Sequence, residues 1–213
     1  MFTKRGYDIK VDNVAIGGTT SAFWSHLPNS LSNAVSDNPD CKWIWLSIGG
    51  NDGIYGLLLG KEIEEIIAKA VNDTRTFLDP LFADHPTVKI VQFGYDVVNF
   101  DKGIMCRTLG RSIFPECRGD IGCSNREMYN LQTAVEMISG YYDRHTSVNL
   151  LGTMQKASGE VPGPYPNDDY YTPADLMRDC IHPNSEGFDI LFDQLWEVYF
   201  KAEVEQYYKE KQQ

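Results

Sequence analysis

Lys42-Trp43-Ile44-Trp45-Leu46-Ser47-Ile48-Gly49-Gly50-Asn51-Asp52-Gly53 is the stretch that decides the fold. Residues 42–48 are almost continuously apolar, the pattern of a strand buried on both faces of a helix-covered parallel sheet. The Gly-Gly-Asn-Asp-Gly tail then lets the backbone turn sharply where such a strand would end.

Reading outward from there, the same alternation repeats. Upstream, Tyr7 to Ile16 reads as a strand ending at Gly17-Gly18, and Thr19-Thr20-Ser21 offers caps for a helix through about Ser36. Downstream, Lys61 to Phe82 carries Ile63, Ile66, Ile67, Ala70, Val71, Phe77, Leu78 and Leu81 at helical spacing. Val88 to Phe93 is the next strand, residues 99–125 a long insertion, Arg126 to Tyr142 a helix and Ser147 to Met154 a short strand. After a loop over 158–175, an amphipathic helix from Ser185 to Lys209 closes the chain, with Phe188, Leu191, Leu195, Tyr199 and Phe200 facing inward. Strands alternating with helices imply a parallel sheet with helices on both faces. In such sheets the ligand crevice lies beyond the carboxyl ends of the strands. Three turns bearing Gly or His fall there and can converge on one crevice. The chain has no internal repeat, and we read residues 1–213 as a single domain.

Composition narrows the function. The 213 residues carry a formal net charge of −11 and 42% apolar residues. That is a globular chain able to bury a core. Its charge repels phosphate backbones, so nucleic acid is excluded as a partner. No apolar run approaches the roughly 18–20 residues of a membrane span. The opening Met1-Phe2-Thr3-Lys4-Arg5-Gly6 has no apolar leader core. Of five cysteines, Cys106, Cys117 and Cys123 share one Gly- and Arg-rich stretch, while Cys41 and Cys180 stand apart. One disulfide within 106–123 and an extracellular or secretory setting is the preferred reading over reduced thiols. Asn72-Asp73-Thr74 fits a glycosylation acceptor, a motif of little weight by itself.

Chemistry concentrates in Asp179-Cys180-Ile181-His182-Pro183-Asn184. An Asp three residues before a His can accept from the imidazole Nδ1–H, fixing the tautomer and leaving Nε2 free to take a proton. In isolation the same pattern is more often a capping His beside an acidic loop. A metal site is disfavoured because no second His lies nearby in sequence. In Gly49-Gly50-Asn51-Asp52-Gly53, Asn51 can aim its side-chain NH₂ at a developing oxyanion, although Asn-Asp-Gly is also an ordinary turn. In Gly17-Gly18-Thr19-Thr20-Ser21, the Gly18 N–H at a helix entry can do the same, against the plainer reading of a helix start.

Taken together, in this order and at these spacings, the three turns resemble the SGNH (GDSL-type) hydrolase family. Gly17-Gly18-Thr19-Thr20-Ser21 matches its second block, Gly49-Gly50-Asn51-Asp52 its Gly-x-Asn-Asp block, and Asp179-Cys180-Ile181-His182-Pro183-Asn184 its Asp-x-x-His block. The likeness runs from about Tyr7 to the C-terminal helix. It implies a flavodoxin-like three-layer α/β/α sandwich with a parallel sheet. It also implies hydrolysis of acyl or acetyl esters of lipids or carbohydrates by a Ser-His-Asp mechanism, with no cofactor. By that likeness Gly18 and Asn51 are oxyanion donors, Asp179 orients the base, and His182 is the base. The partner would be a small-molecule ester, and the protein a monomer.

The family's Gly-Asp-Ser block, which supplies the nucleophile after the first strand, has no counterpart here. Gly119-Asp120-Ile121 lacks the Ser and lies in the cysteine-bearing insertion. Ser21 reads as polar dressing of a helix start, and Ser47 as part of the apolar strand, so neither is taken as the nucleophile. In strand order 2-1-3-4-5 the first strand is internal. Without it the sheet lacks that strand, and buried backbone groups left unpaired cost on the order of 1–3 kcal/mol each. The sequence is therefore expected to be an N-terminally shortened form of a longer enzyme. The alternative is a non-catalytic glycan- or lipid-binding module of the same fold. A nucleotide-binding flavodoxin-like protein is remote, since the phosphate-cradling first loop is missing. Trp24, Phe114, Tyr165, Tyr170 and Tyr171 are candidates to line the crevice, with loop packing the plainer role for any one of them.

Overall fold

A computed structural model describes residues 2–211. Met1, at the head of the segment read for a leader, and Gln212 and Gln213, at the end of the domain, lie outside the described residues. The architecture is an α/β sandwich built on three parallel strands in the order β1 (Trp43–Leu46), β2 (Lys89–Phe93), β3 (His145–Val148). Trp43 pairs with Lys89 and Leu46 with Gln92, and Ile90 with His145 and Phe93 with Val148.

Period-2 alternation divides the side chains of the sheet between two helical layers. Ile44, Leu46 and Ile90 pack with Leu78, Leu81 and Phe82 of α4 (Ile63–Asp84) and Ile138 of α6 (Ile121–Ser139). Trp43, Trp45, Val91 and Phe93 pack on the opposite layer, with Met154 of α7 (Thr153–Ser158) and the terminal helix. That helix runs as α8 (Ser185–Leu195), a π turn (Trp196–Phe200) and α9 (Lys201–Glu210). Leu191, Leu195 and Phe200 face inward as read, with Tyr199 packed at the edge of the core. Phe188 does not. It is 38% exposed and stacks on Phe192, which itself meets Trp45 across the end of the layer.

Several elements depart from the sequence reading. Tyr7 to Ile16 is not a strand. Among the described residues no strand lies along the outer edge of β1 to receive it. Tyr7 and Ile9 are instead drawn onto the terminal helix, where Tyr208 donates to the Asp8 carbonyl. The same bare edge explains why the apolar β1 is only half-buried along its length. The expected single helix over 19–36 is two, α1 (Ser21–Ser25) and α2 (Ser30–Ser36), with Pro28 between them. The Gly-rich tail of the first-quoted stretch continues as a helix, α3 (Gly50–Leu58). The third strand lies earlier than 147–154 because Gly152 adopts φ +82° and α7 starts at Thr153. The buried Asp96 carboxylate draws in this start, accepting from the Gly152 and Met154 N–H groups.

The 99–125 insertion holds α5 (Ile104–Ile113) and the first five residues of α6. Its cysteines close two disulfides, Cys117–Cys123 within the insertion and Cys106–Cys180 across to the His-bearing loop, leaving Cys41 free. Asn72-Asp73-Thr74 falls inside α4 with Asp73 and Thr74 buried, which is not the surface loop an acceptor site needs. No described helix is long and apolar enough to cross a membrane.

Candidate active site

The three turns singled out in the sequence are linked by contacts at the carboxyl end of the sheet. The first two are joined directly. The Asn51 amide donates to the Thr19 carbonyl at 3.0 Å. Asp52, in the first turn of α3, accepts from the Ser21 N–H at 2.9 Å and the Ser21 hydroxyl at 2.6 Å. A carboxylate in the first turn also suits the positive end of the helix. An amide NH₂ has two hydrogens, so the bond to Thr19 holds Asn51 in place and leaves a second donor. Gly18 (φ +81°) and Gly49 (φ +103°) occupy the left-handed region, where a side chain would be strained.

The third turn is the tight loop around His182. Asp179 Oδ1 and Oδ2 each lie 3.0 Å from His182 Nδ1. Asp179 Oδ1 also accepts the backbone N–H groups of Ile181 (2.9 Å) and His182 (2.8 Å). Partial burial pushes the Asp179 carboxyl upward, but those N–H donors and the imidazole outweigh it and hold the group at about 2. The loop closes on itself through an Arg178 N–H to His182 carbonyl bond and a Met177–Pro183 bridge. Asn184 then caps α8 by accepting from the Gly187 N–H at 3.0 Å. Two further ties fix the loop to the insertion: the Cys106–Cys180 disulfide and the Asn99 N–H to Cys180 carbonyl bond.

Tyr95, which the sequence reading did not single out, connects this loop to the Gly-rich turn. It follows β2, and its ring faces the His182 ring at 6.3 Å between centroids, inclined by 69°. On its other side it lies against Gly50, so closely that a Cβ there would sit 1.8 Å from Tyr95 Cε2. His182, Tyr95, Gly50 and, through the next residue, Asn51 thus form one continuous line. The signal available in the sequence was position alone: Gly94-Tyr95-Asp96 is the carboxyl end of a predicted parallel strand.

Other expectations fare differently. Ser21 is fully buried with its hydroxyl on Asp52, as befits a structural role. Ser47 is not inside the strand. β1 ends at Leu46 and Ser47 is exposed. Among the described residues no hydrogen bond links a serine hydroxyl to His182. Of the five aromatics proposed for the crevice, Phe114 lines an apolar cavity beneath the Gly49–Gly50 turn. Trp24 packs on the core below α4, its indole N–H donating to Thr19 Oγ1. Tyr165 bonds the Val161 carbonyl, Tyr171 packs on Phe100, and Tyr170 is exposed. No cluster of His, Cys, Asp and Glu among the described residues has the makings of a metal site.

No protein-family model matches the sequence, and no curated protein matches it. The structure is similar to a solved structure from Streptococcus pneumonia whose description names a platelet activating factor. The two share 15% identity at a TM-score of 0.52, over 85% of this chain and 68% of that one. The likeness is one of fold, and it extends the α/β sandwich to nearly the whole chain.

Proposed function

We propose that this domain is an ester hydrolase of the SGNH type in which His182 is the general base, Asp179 its orienting carboxylate, and Gly18 N and Asn51 Nδ2 the oxyanion donors. The observation that carries the reading is the two-oxygen clasp of Asp179 on His182 Nδ1, which leaves Nε2 as the free nitrogen, on a loop that meets the Gly49–Asn51 turn through Tyr95. An ionised Asp179 across the physiological range favours the Nδ1–H tautomer and stabilises the imidazolium that forms when Nε2 takes a proton.

The reaction runs in two halves. A serine Oγ attacks the acyl carbon as its proton passes to His182 Nε2, and the carbonyl π pair moves onto oxygen, facing Gly18 N and Asn51 Nδ2. Collapse of the tetrahedral adduct breaks the ester C–O bond, and the departing alkoxide takes the proton from Nε2. Water then repeats the sequence and releases the acid. The reading requires a serine beside His182, and the bare edge of β1 leaves room for a strand carrying one. Two disulfides fit an oxidising, extracellular setting.

The second reading, a glycan- or lipid-binding module of the same fold, is favoured by one observation: among the described residues no serine hydroxyl meets the imidazole. The two separate on p-nitrophenyl ester turnover, measured for this chain and for one extended upstream. The hydrolase reading expects turnover in the extended form, lost by several orders of magnitude in His182→Ala and by about 10²–10³ in Asn51→Ala. An extended form that is folded and inert toward all esters establishes the binding module instead.

A further inference from the structure

Beneath the Gly49–Gly50 turn lies a cavity of ≈ 50 Å³. Gly49, Gly50, Tyr95 and Ile181, the neighbour of His182, are among the residues that line it. Behind them it runs between α4 and α6, where Ala70 and Ala134 form facing walls. Its lining is otherwise aliphatic and aromatic, with one amide side chain, Gln132.

Three properties mark this space as more than loose packing. It is lined in part by the residues that join the proposed base to the oxyanion turn, so a group lodged in it lies close to the proposed reacting centre. Its size is limited: one water needs roughly 10–15 Å³ on the same measure, so the cavity has room for roughly three to five non-hydrogen atoms. Finally, Gln132 is 6% exposed and its Nε2 has no hydrogen-bond partner. A buried donor left unmet is costly, and a purely aliphatic occupant would leave it so.

We infer that this cavity is the acyl pocket and that it takes a short acyl chain carrying an oxygen near its far end, a hydroxy- or oxo-acyl group, with Gln132 Nε2 donating to that oxygen. The inference rests on the hydrolase reading for the word acyl, and it narrows the substrate from esters at large to short oxygenated ones. A long alkyl chain is excluded by volume. A bare acetyl group, with one carbon beyond the carbonyl, leaves most of that room empty.

Binding can be measured apart from turnover, on the chain as it stands, by titrating butyramide, 4-hydroxybutyramide and octanamide and following the protein by NMR. The two four-carbon amides are expected to bind weakly, on the order of millimolar, with the hydroxylated one favoured by about 2–12-fold, the yield of one hydrogen bond. Octanamide is expected not to bind. Ala134→Leu and Ala70→Leu, which fill the cavity from opposite walls, are each expected to abolish binding, with circular dichroism to show that at least one stays folded. Gln132→Leu is expected to erase the preference for the hydroxyl. No binding to the folded wild type, or binding that both filling variants leave intact, overturns the pocket. An unchanged preference in Gln132→Leu overturns the role of the amide. Amide binding in a protein whose every extended form is inert toward esters refutes the hydrolase reading and leaves the pocket standing. Turnover that the filling variants do not touch refutes the pocket and leaves the hydrolase.

Discussion

Gly50→Ala is the substitution whose consequence follows most directly from the coordinates. The new Cβ would lie 1.8 Å from Tyr95 Cε2 and 2.8 Å from both Cδ2 and Cζ. Carbon atoms in contact prefer about 3.5–4.0 Å, so the ring would have to swing by about 2 Å. Its other side faces the His182 ring, so the displacement is carried to that imidazole. Overpacking of this kind typically costs about 1–3 kcal/mol. The backbone adds no penalty, because Gly50 lies at the start of α3 outside the left-handed region. In a Tyr95→Ala background the obstacle is gone, and the same change is expected to be neutral or to stabilise by up to ~1 kcal/mol through helix propensity. Urea denaturation of the four proteins in the cycle therefore yields a coupling of about 1–3 kcal/mol. Equal costs of Gly50→Ala in both backgrounds, within about 0.5 kcal/mol, would show that the ring does not lie against the turn.

Three further expectations concern the loop and the core. Removing the Cys106–Cys180 bridge, which spans 74 residues, should cost about 4.5 kcal/mol by loop-closure entropy, against about 2.4 kcal/mol for Cys117–Cys123, which spans 6; paired Cys→Ser variants in urea test the order. Asp179→Asn should leave the fold in place while lowering kcat of an active form by about 10⁴, the cost of the wrong imidazole tautomer; a loss under tenfold would detach Asp179 from the base. Burial holds the His145 imidazole down to about 4, so its contribution is complete above 6.5 and lost as pH falls through 4. Burial likewise raises the Asp96 carboxyl to about 6, against the pull of its N–H donors, so its contribution is complete below 3.8 and lost as pH rises through 6. The two oppose each other between pH 4 and 6, each by on the order of 3 kcal/mol. Relative to wild type, His145→Gln should then lose stability as pH rises across that window and Asp96→Asn as it falls; shifts of the same sign in both would refute the pair.

Local chemistry was the legible part of this sequence. Asp179 and His182 are three residues apart, so their bond needs only a turn, and the sequence carries it whole. The apolar runs at 42–48 and 88–93 likewise place β1 and β2, because burial on both faces leaves no other pattern. What failed depends on partners far along the chain. Tyr7–Ile16 has strand composition but pairs with no strand among the described residues, and composition cannot report a missing neighbour. Gly49-Gly50 looks like a turn because glycine disfavours helices, yet α3 begins at Gly50, where Tyr95 leaves no room for a Cβ and so requires glycine. The third strand ends at Val148, short of the expected Met154, because Asp96, more than fifty residues upstream, draws the chain into α7. Cys180 finds Cys106 across 74 residues, a pairing that spacing cannot single out among five thiols.

That long-range pairing makes the posture of the imidazole a matter of biography as well as sequence. The sulfur bridge sits two positions from His182 and moors its loop to a helix made more than seventy residues earlier. Protein made where thiols stay reduced would carry the same side chains with that mooring cast off. Two batches identical by mass to within two hydrogen atoms per bridge could then differ in how firmly that imidazole is held, and a thiol count belongs beside every assay made on them.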